Sequence, residues 1–351
     1  MSLDSITWYR KQGVAIPAQN NKVLVRCITY NQSEYIVETL NGFGIQKTEF
    51  NYVCVVIDDA STDGEQETII SFIKTECNIE QIDCYENDLV ISIIAPHKSN
   101  SNCSYVFYLL KKNLFKQPTE KEKLVIPWRE SSLYEAICEG DDYWTDCNKL
   151  QKQVDFLDNN PEYALCYTKC NYYYQGKGLL DPVPWGGPNE TFNDFIHNNT
   201  VPTLTVLYRT ESEKRYHQEV QPESRGWMMG DYPRWIWYSH EYKVKFIPDC
   251  TGVYRVLASS ASHSSDVEKQ IRFSDCSISI RLFFEEYFGY PKYSFVEKNY
   301  RSRRLLYLYA INHKIFNYLK TLFATPSLLL NAKAIGYMRY FFMASKKSEE
   351  V

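Results

Sequence analysis

Residues 52–57 read Tyr-Val-Cys-Val-Val-Ile, six apolar positions in a row, and the chain then turns abruptly to Asp58-Asp-Ala-Ser-Thr-Asp-Gly64. A strand with one face in water alternates apolar and polar residues, so an unbroken run predicts a strand covered on both faces. Helices packed on both sides of a sheet supply that cover. A similar run, Lys22-Val-Leu-Val-Arg-Cys-Ile-Thr29, lies upstream. Between the two, the polar break Tyr30-Asn-Gln-Ser33 predicts a helix to about Gly42 with Ser33 as its N-cap. A second helix is expected over residues 65–74. Strand, loop and helix repeated in that order define an α/β fold on a mostly parallel sheet. Such sheets bind ligands beyond the carboxyl ends of their strands.

The remaining pattern is less regular. Strands are expected at 89–94, 134–138, 164–168 and 203–208, and a terminal pair at 243–247 and 252–256. The polar tracts 97–103 and 116–123 read as loops on either side of a helix. Further helices are expected at 149–159 and from near Pro233. From Asp266 the pattern is helical, with long amphipathic stretches at 301–320 and 327–347. This gives an N-terminal extension (1–21), a sheet domain (22–264) and a helical C-terminal region (265–351).

Composition excludes some classes. The net charge is −4 with Lys and Arg spread along the chain, which argues against a nucleic-acid partner. Eleven cysteines without a CxxC pair fit a reduced, cytoplasmic protein without a zinc site. No stretch reaches the roughly 18 apolar residues of a spanning helix, and the first residues lack the apolar core of a signal peptide.

The chemistry concentrates in Cys138-Glu-Gly-Asp-Asp-Tyr-Trp144. Three crowded carboxylates repel one another unless a cation neutralises them. Mg²⁺ and Mn²⁺ take oxygen ligands and bridge carboxylates to phosphates. Gly140 suits a close approach of backbone to ligand. A solvated acidic turn accounts for the spacing of these residues equally well. The second acidic cluster, Asp58, Asp59 and Asp63, also follows a strand, and parallel strands place both clusters at one edge of the sheet. Helix capping explains Thr62 or Asp63, but not Asp58 or Asp59.

Together, Ile28-Thr-Tyr-Asn31, Ile57-Asp-Asp-Ala-Ser-Thr-Asp-Gly64 and Glu139-Gly-Asp-Asp-Tyr-Trp144 resemble the family 2 glycosyltransferases of the GT-A fold, in the bacterial branch whose acidic motif is followed by Tyr-Trp. The resemblance covers roughly residues 22–264. It implies a nucleoside diphosphate sugar donor, foremost a UDP-sugar, and a glycan or lipid-linked acceptor. Thr29 and Tyr30 would flank the base. Asp59, or its neighbour Asp58, would accept a hydrogen bond from it. Glu139 would lie near the ribose, Asp142 near the donor sugar, and Asp141 on a Mn²⁺ or Mg²⁺ ion. Glu139 departs from the family's Asp-x-Asp pattern while keeping the charge. Asp231 matches the position of the general base of an inverting transfer, with helix capping as its alternative role. His263 would close over the metal or diphosphate, or be structural. Among Trp144, Trp185, Trp227, Trp235 and Trp237, Trp227 is the first choice for stacking on the acceptor.

Two other functions share parts of this pattern. A nucleotidyltransferase would carry a Gly-rich phosphate loop that Tyr30 to Ser33 does not provide. A sugar-nucleotide-binding protein without turnover would share every binding residue. The C-terminal region lies outside the resemblance. Its basic amphipathic helices fit packing on the rest of the chain or on a second copy, and the other use is contact with the inner face of a membrane.

Overall fold

The computed structural model describes residues 10–257, 266–290 and 294–341, which fall into two compact units. The first unit comprises the chain up to Tyr173 together with Leu180–Glu223 and Tyr238–Arg255. Its early elements are β1 (Arg10–Gln12), β2 (Asn21–Thr29), α1 (Ile36–Gly44), β3 (Tyr52–Asp58) and α2 (Glu65–Glu76). Then come β4 (Asp83–Glu86), β5 (Val90–Pro96), β6 (Cys103–Leu110), α3 (Pro118–Glu130) and β7 (Ser132–Ile137). The short β8 (Tyr143–Trp144) precedes α4 (Lys149–Asn159), β9 (Tyr163–Tyr174) and β10 (Leu179–Leu180). The series closes with α5 (Phe192–His197), β11 (Leu207–Arg209), α6 (Thr210–Val220) and β12 (Lys243–Val256), while α7 (Asp231–Glu241) is divided between the two units.

The strand order is β1-β4-β5-β6-β3-β2-β7-β11-β9-β12-β8. The four central strands, β6-β3-β2-β7, are parallel throughout, and antiparallel pairs extend the sheet on both sides. Every residue of β3 is buried, as its composition requires. Its alternate residues enter two different cores. Tyr52, Cys54 and Val56 pack with Ile36, Leu40 and Phe43 of α1 and with Ile69 and Ile73 of α2. Val53, Val55 and Ile57 pack with Leu124, Val125 and Trp128 of α3.

Several local expectations change. Residues 103–110 form β6 rather than a helix, because Tyr105, Phe107 and Leu109 serve one core while Val106, Tyr108 and Leu110 serve the other. A short apolar run buried on both sides carries no period that separates strand from helix. The Lys/Glu-rich tract beside it is not a loop but the opening of α3, with Pro118 in the first turn. The expected terminal pair of strands is one continuous strand, β12. Residues 203–205 form a 3₁₀ turn before β11. Helix α1 starts at Ile36 with Tyr35 as its N-cap rather than Ser33. Within the segment 1–21, Arg10–Gln12 pairs in parallel with β4 and Ala15 is buried in a core.

The second unit comprises Tyr174–Leu179, Ser224–Trp237 and the chain from Val256 onward. It contains α8 (Val267–Tyr287), α9 (Ser294–Ile311), α10 (Ile315–Ala324) and α11 (Ala332–Gly336). The expected helix over 301–320 is therefore interrupted, with His313 at φ +54° between α9 and α10. A small core of Leu306, Ala310, Tyr318, Leu322, Leu328 and Ala334 joins α9, α10 and α11. Among the described residues no helix is long and apolar enough to cross a membrane. All eleven cysteines are free.

Candidate functional site

Three of the parallel strands deliver polar residues to one edge. Thr29 at the end of β2 is in register with Asp58 at the end of β3, and β7 runs parallel beside β2 into Cys138 and Glu139. Backbone bonds tie the outgoing loops together: Asp59 N–H donates to Thr29 O at 3.0 Å, and Gly140 N–H donates to Ile28 O at 3.3 Å.

The floor of this edge is a closed polar network. The buried Thr29 hydroxyl lies against the Glu65 carboxylate and 2.8 Å from the Gln32 side-chain oxygen. The second Glu65 oxygen accepts from Gln32 N–H at 2.9 Å and from the Ser61 hydroxyl at 2.8 Å. Gly140 closes over this floor. A Cβ there would stand 2.2 Å from Thr29 Oγ1 and 2.5 Å from Gln32 Oε1, so this position has no room for a side chain. Asp63 is structural, its carboxylate accepting from Ser33 N–H at 3.0 Å and Glu65 N–H at 3.1 Å. Asn31 caps the Thr62 N–H at 2.8 Å.

The two adjacent aspartates differ. Asp59 is fully engaged, with Leu114 N–H on one oxygen at 2.6 Å and Lys121 Nζ on the other at 2.8 Å. Asp58 accepts from Ser61 N–H at 3.2 Å and from the Gln66 amide on one oxygen. Its second oxygen is buried without a hydrogen-bond partner among the described residues. Burial pushes the Asp58 carboxyl above its ordinary range, and does the same to Glu65.

Across the edge lies the acidic motif. Asp142 is buried, with one oxygen accepting from Arg255 N–H at 2.8 Å. The Arg255 guanidinium donates to Asp141 O at 2.9 Å and pairs with Glu38 of α1. The rings of Tyr35, Tyr143 and Tyr173 surround it at 4.6, 5.3 and 5.4 Å. The Thr39 hydroxyl holds the motif's backbone through Gly140 O at 2.8 Å and Asp142 O at 2.7 Å. Burial raises the Asp141 carboxyl although Arg255 and Gln32 pull it down. Asp142 is pushed far up, by burial first and then by the charge of Asp141. Burial thus disfavours the charged form of both carboxyls, and Arg255 does not fully offset it.

Other expected residues lie elsewhere. Tyr30 is exposed at the mouth of the β2 loop. Asp231 and Trp227 belong to the second unit. Asp231 opens the first turn of α7, where the next residue, Tyr232, accepts from Arg281 Nε at 2.8 Å. Trp227 packs on Phe283 and Phe284, with ring centres 5.4 and 6.1 Å away. His263 lies outside the described residues. Trp144, Trp235 and Trp237 are core residues and cannot stack on a sugar. Trp144 donates to Leu204 O at 2.7 Å and meets the Phe43 ring at 4.9 Å. Glu65, Thr39, Lys121 and Arg255 escaped the sequence reading. Arg255 lies 113 positions from Asp142, and no local pattern links the two.

Among the described residues no group of three or more His, Cys, Asp or Glu side chains is placed to hold a metal ion. A cation that takes most of its ligands from phosphate and water needs only one or two carboxylates. Asp141, half-buried and under-compensated, fits that smaller requirement.

Fold and site together define an α/β protein with clustered carboxylates at the carboxyl edge of its parallel strands, the edge where such sheets bind ligands. No protein-family profile matches the chain. Uncharacterized proteins of Mycobacterium bovis and Mycobacterium tuberculosis are 28% identical over 253 residues, covering 69% of this chain and 61% of theirs. The chain therefore spans about three fifths of the length of these curated relatives. TuaG of Bacillus subtilis, named for a glycosyltransferase role in teichuronic acid biosynthesis, is 24% identical over 194 residues, covering 55% of this chain and 64% of TuaG. Among solved structures, Staphylococcus aureus TarS with UDP-GlcNAc superposes at a TM-score of 0.46 and 14% identity, covering 93% of this chain and 82% of that one. The mannosyltransferase PcManGT of Pyrobaculum calidifontis, with GDP-Man and Mn²⁺, does so at 0.47 and 16%, covering 95% and 87%.

Proposed function

We propose that this chain is a glycosyltransferase that moves a sugar from a nucleoside diphosphate sugar, foremost a UDP-sugar, to a glycan or lipid-linked acceptor. The observation that carries this reading is the set of carboxyls gathered where β2, β3 and β7 end. There Gly140 packs directly on Thr29 and Gln32, which seats the acidic motif against the ends of β2 and β3, and Asp58, Asp141 and Asp142 are all pushed up by burial. Such under-compensated carboxyls are characteristic of binding and catalytic sites. The similarity to TuaG supports the same class.

In this reading Thr29 and Tyr30 flank the base, and the Asp58-Asp59 pair accepts its N–H. Lys121 and Leu114 N–H fix Asp59, while the unsatisfied oxygen of Asp58 leaves hydrogen-bonding capacity beside it. Glu139 lies toward the ribose and Asp142 toward the donor sugar. Asp141 would hold a Mn²⁺ or Mg²⁺ ion, which supplies Lewis-acid stabilisation of the departing diphosphate. His263 is a further candidate for that ion.

The transfer is a single displacement. Asp231 takes the proton of the acceptor hydroxyl, whose oxygen forms a bond to the anomeric carbon. The bond from that carbon to the diphosphate oxygen breaks, and the electron pair leaves with the nucleotide. The configuration inverts. Trp227 is the proposed acceptor contact.

Calorimetry with UDP-sugars, with and without Mn²⁺, followed by an assay for released UDP, tests the reading. Binding together with release is expected. Binding without release, whatever acceptor is offered, would leave a binding protein instead. Asp231→Asn should cut transfer by about 100-fold or more with donor binding intact. Near-normal transfer by that variant would remove Asp231 from the role, and a retained anomeric configuration would exclude the single displacement.

A further inference from the structure

Helix α10 has more apolar surface than its packing uses. Its inward residues Tyr318 and Leu322 already fill the core shared with Leu306, Ala310, Leu328 and Ala334. A helix packed on one side needs one apolar stripe, with polar residues on the other face. Yet Phe316 is 84% exposed and Phe323 67% exposed, one on either side of the exposed Lys320 at i, i+4 and i+7 spacing. The next segment leaves Leu330 93% exposed.

Charge is as one-sided as hydrophobicity. Residues 298–348 contain ten Lys or Arg and no Asp or Glu, in a chain whose net charge is −4. Arg301 is engaged by Asp275 of α8, with Nε 2.7 Å from the carboxylate. Lys320 is exposed on α10 between the two aromatic residues, Lys314 is exposed at the N-cap of α10, and Lys333 and Arg339 are exposed in the segments that follow.

We propose that this part of the second unit docks on an anionic lipid surface, with Phe316 and Phe323 entering the headgroup boundary and the surrounding lysines meeting lipid phosphates. Exposed aromatics among basic residues, without acidic ones, are what such a surface selects. A second copy is the poorer occupant, because a two-fold interface through this face sets like basic stretches against each other. The docking holds the protein on the membrane without a spanning helix. It does not depend on the reaction proposed above.

The test is co-sedimentation of the full chain with vesicles of phosphatidylcholine alone or mixed with phosphatidylglycerol, at low and high salt. Binding to the phosphatidylglycerol vesicles is expected, weakened by salt and absent with phosphatidylcholine alone. Phe316→Ser with Phe323→Ser, and separately Lys314→Glu with Lys320→Glu, should each lower binding by about tenfold or more. Both variants change exposed positions and should keep the circular-dichroism melt of the parent. Failure to bind, equal binding to both vesicle types, or unchanged binding by folded variants overturns the proposal. A concentration-dependent dimer abolished by the Phe316/Phe323 variant, with no vesicle binding, assigns the face to a second copy instead.

Discussion

Strand β7 carries Glu135 near its middle and leads, four to seven residues later, into Glu139, Asp141 and Asp142. Glu135 is fully buried, yet each of its oxygens meets an arginine. Arg26 Nε approaches one at 2.8 Å, and Arg129 bonds to both. Burial alone would raise its pKa, but Arg129 and Arg26 hold it below the ordinary carboxylate range. At the strand's end Asp142 is buried and Asp141 half-buried, and there the shifts run the other way. Arg255 gives Asp142 a backbone N–H and Asp141 a bond to its carbonyl, while its guanidinium is engaged by Glu38. One sheet thus contains a carboxylate balanced for folding and a set left short of positive charge. The second kind marks a place where a ligand completes the electrostatics.

That contrast can be broken experimentally. The largest effect is expected from Glu135→Ala, which leaves Arg26 and Arg129 facing each other in the interior. Losing one partner of a buried pair costs about 3–5 kcal/mol, measurable as a lowered urea midpoint. A loss under 1 kcal/mol would show that the arginines find other partners, and the contrast would fail.

Asp141→Asn should behave oppositely. Stability should hold or rise, because a half-buried carboxylate whose charged form is disfavoured is removed, while transfer falls by about 100-fold or more. A variant that is clearly destabilised yet transfers at the parent's rate would make Asp141 a structural residue.

The smallest effect sharpens the comparison with a lone cation. Lys149 is buried 4.2 Å from the Trp144 ring centre, with Gln153 Oε1 at 2.8 Å. Burial lowers its pKa from 10.5 to about 7. Between those two values the unfolded chain holds a proton that the folded chain has released. Stability therefore rises with pH across that window, by at most about 1.4 kcal/mol per unit. Chemical denaturation at pH 7 and pH 9 should show this rise in the parent and not in Lys149→Met. Equal slopes would mean that Lys149 keeps its ordinary pKa.

Much of the fold was legible because its signals are local. The all-apolar run of β3 requires cover on both faces, and the two cores that share its alternate residues provide it. Helix α4 was expected at its observed bounds, since its amphipathic period is intact and Pro161 stops it. The stretch 103–123 differs from its local pattern because β6 is buried on both sides and α3 opens with a charged tract in which Lys121 and Glu122 pair with Asp59 and Arg129. The candidate site divides in the same way. Gly140 and the surrounding carboxylates stood out as charge crowded beyond what folding needs, whereas Glu65 looked like an ordinary acid in a first helical turn.

The sequence by itself determined the parallel centre of the sheet, the edge at which its carboxylates emerge and the absence of acid across residues 298–348. Only the tertiary structure decided which charges are compensated. Compensation depends on groups brought together across long separations, such as Arg255 with Asp142 and Arg26 with Glu135, 113 and 109 positions apart. It depends equally on burial, which sets the cost of every charge left over and which no linear pattern records.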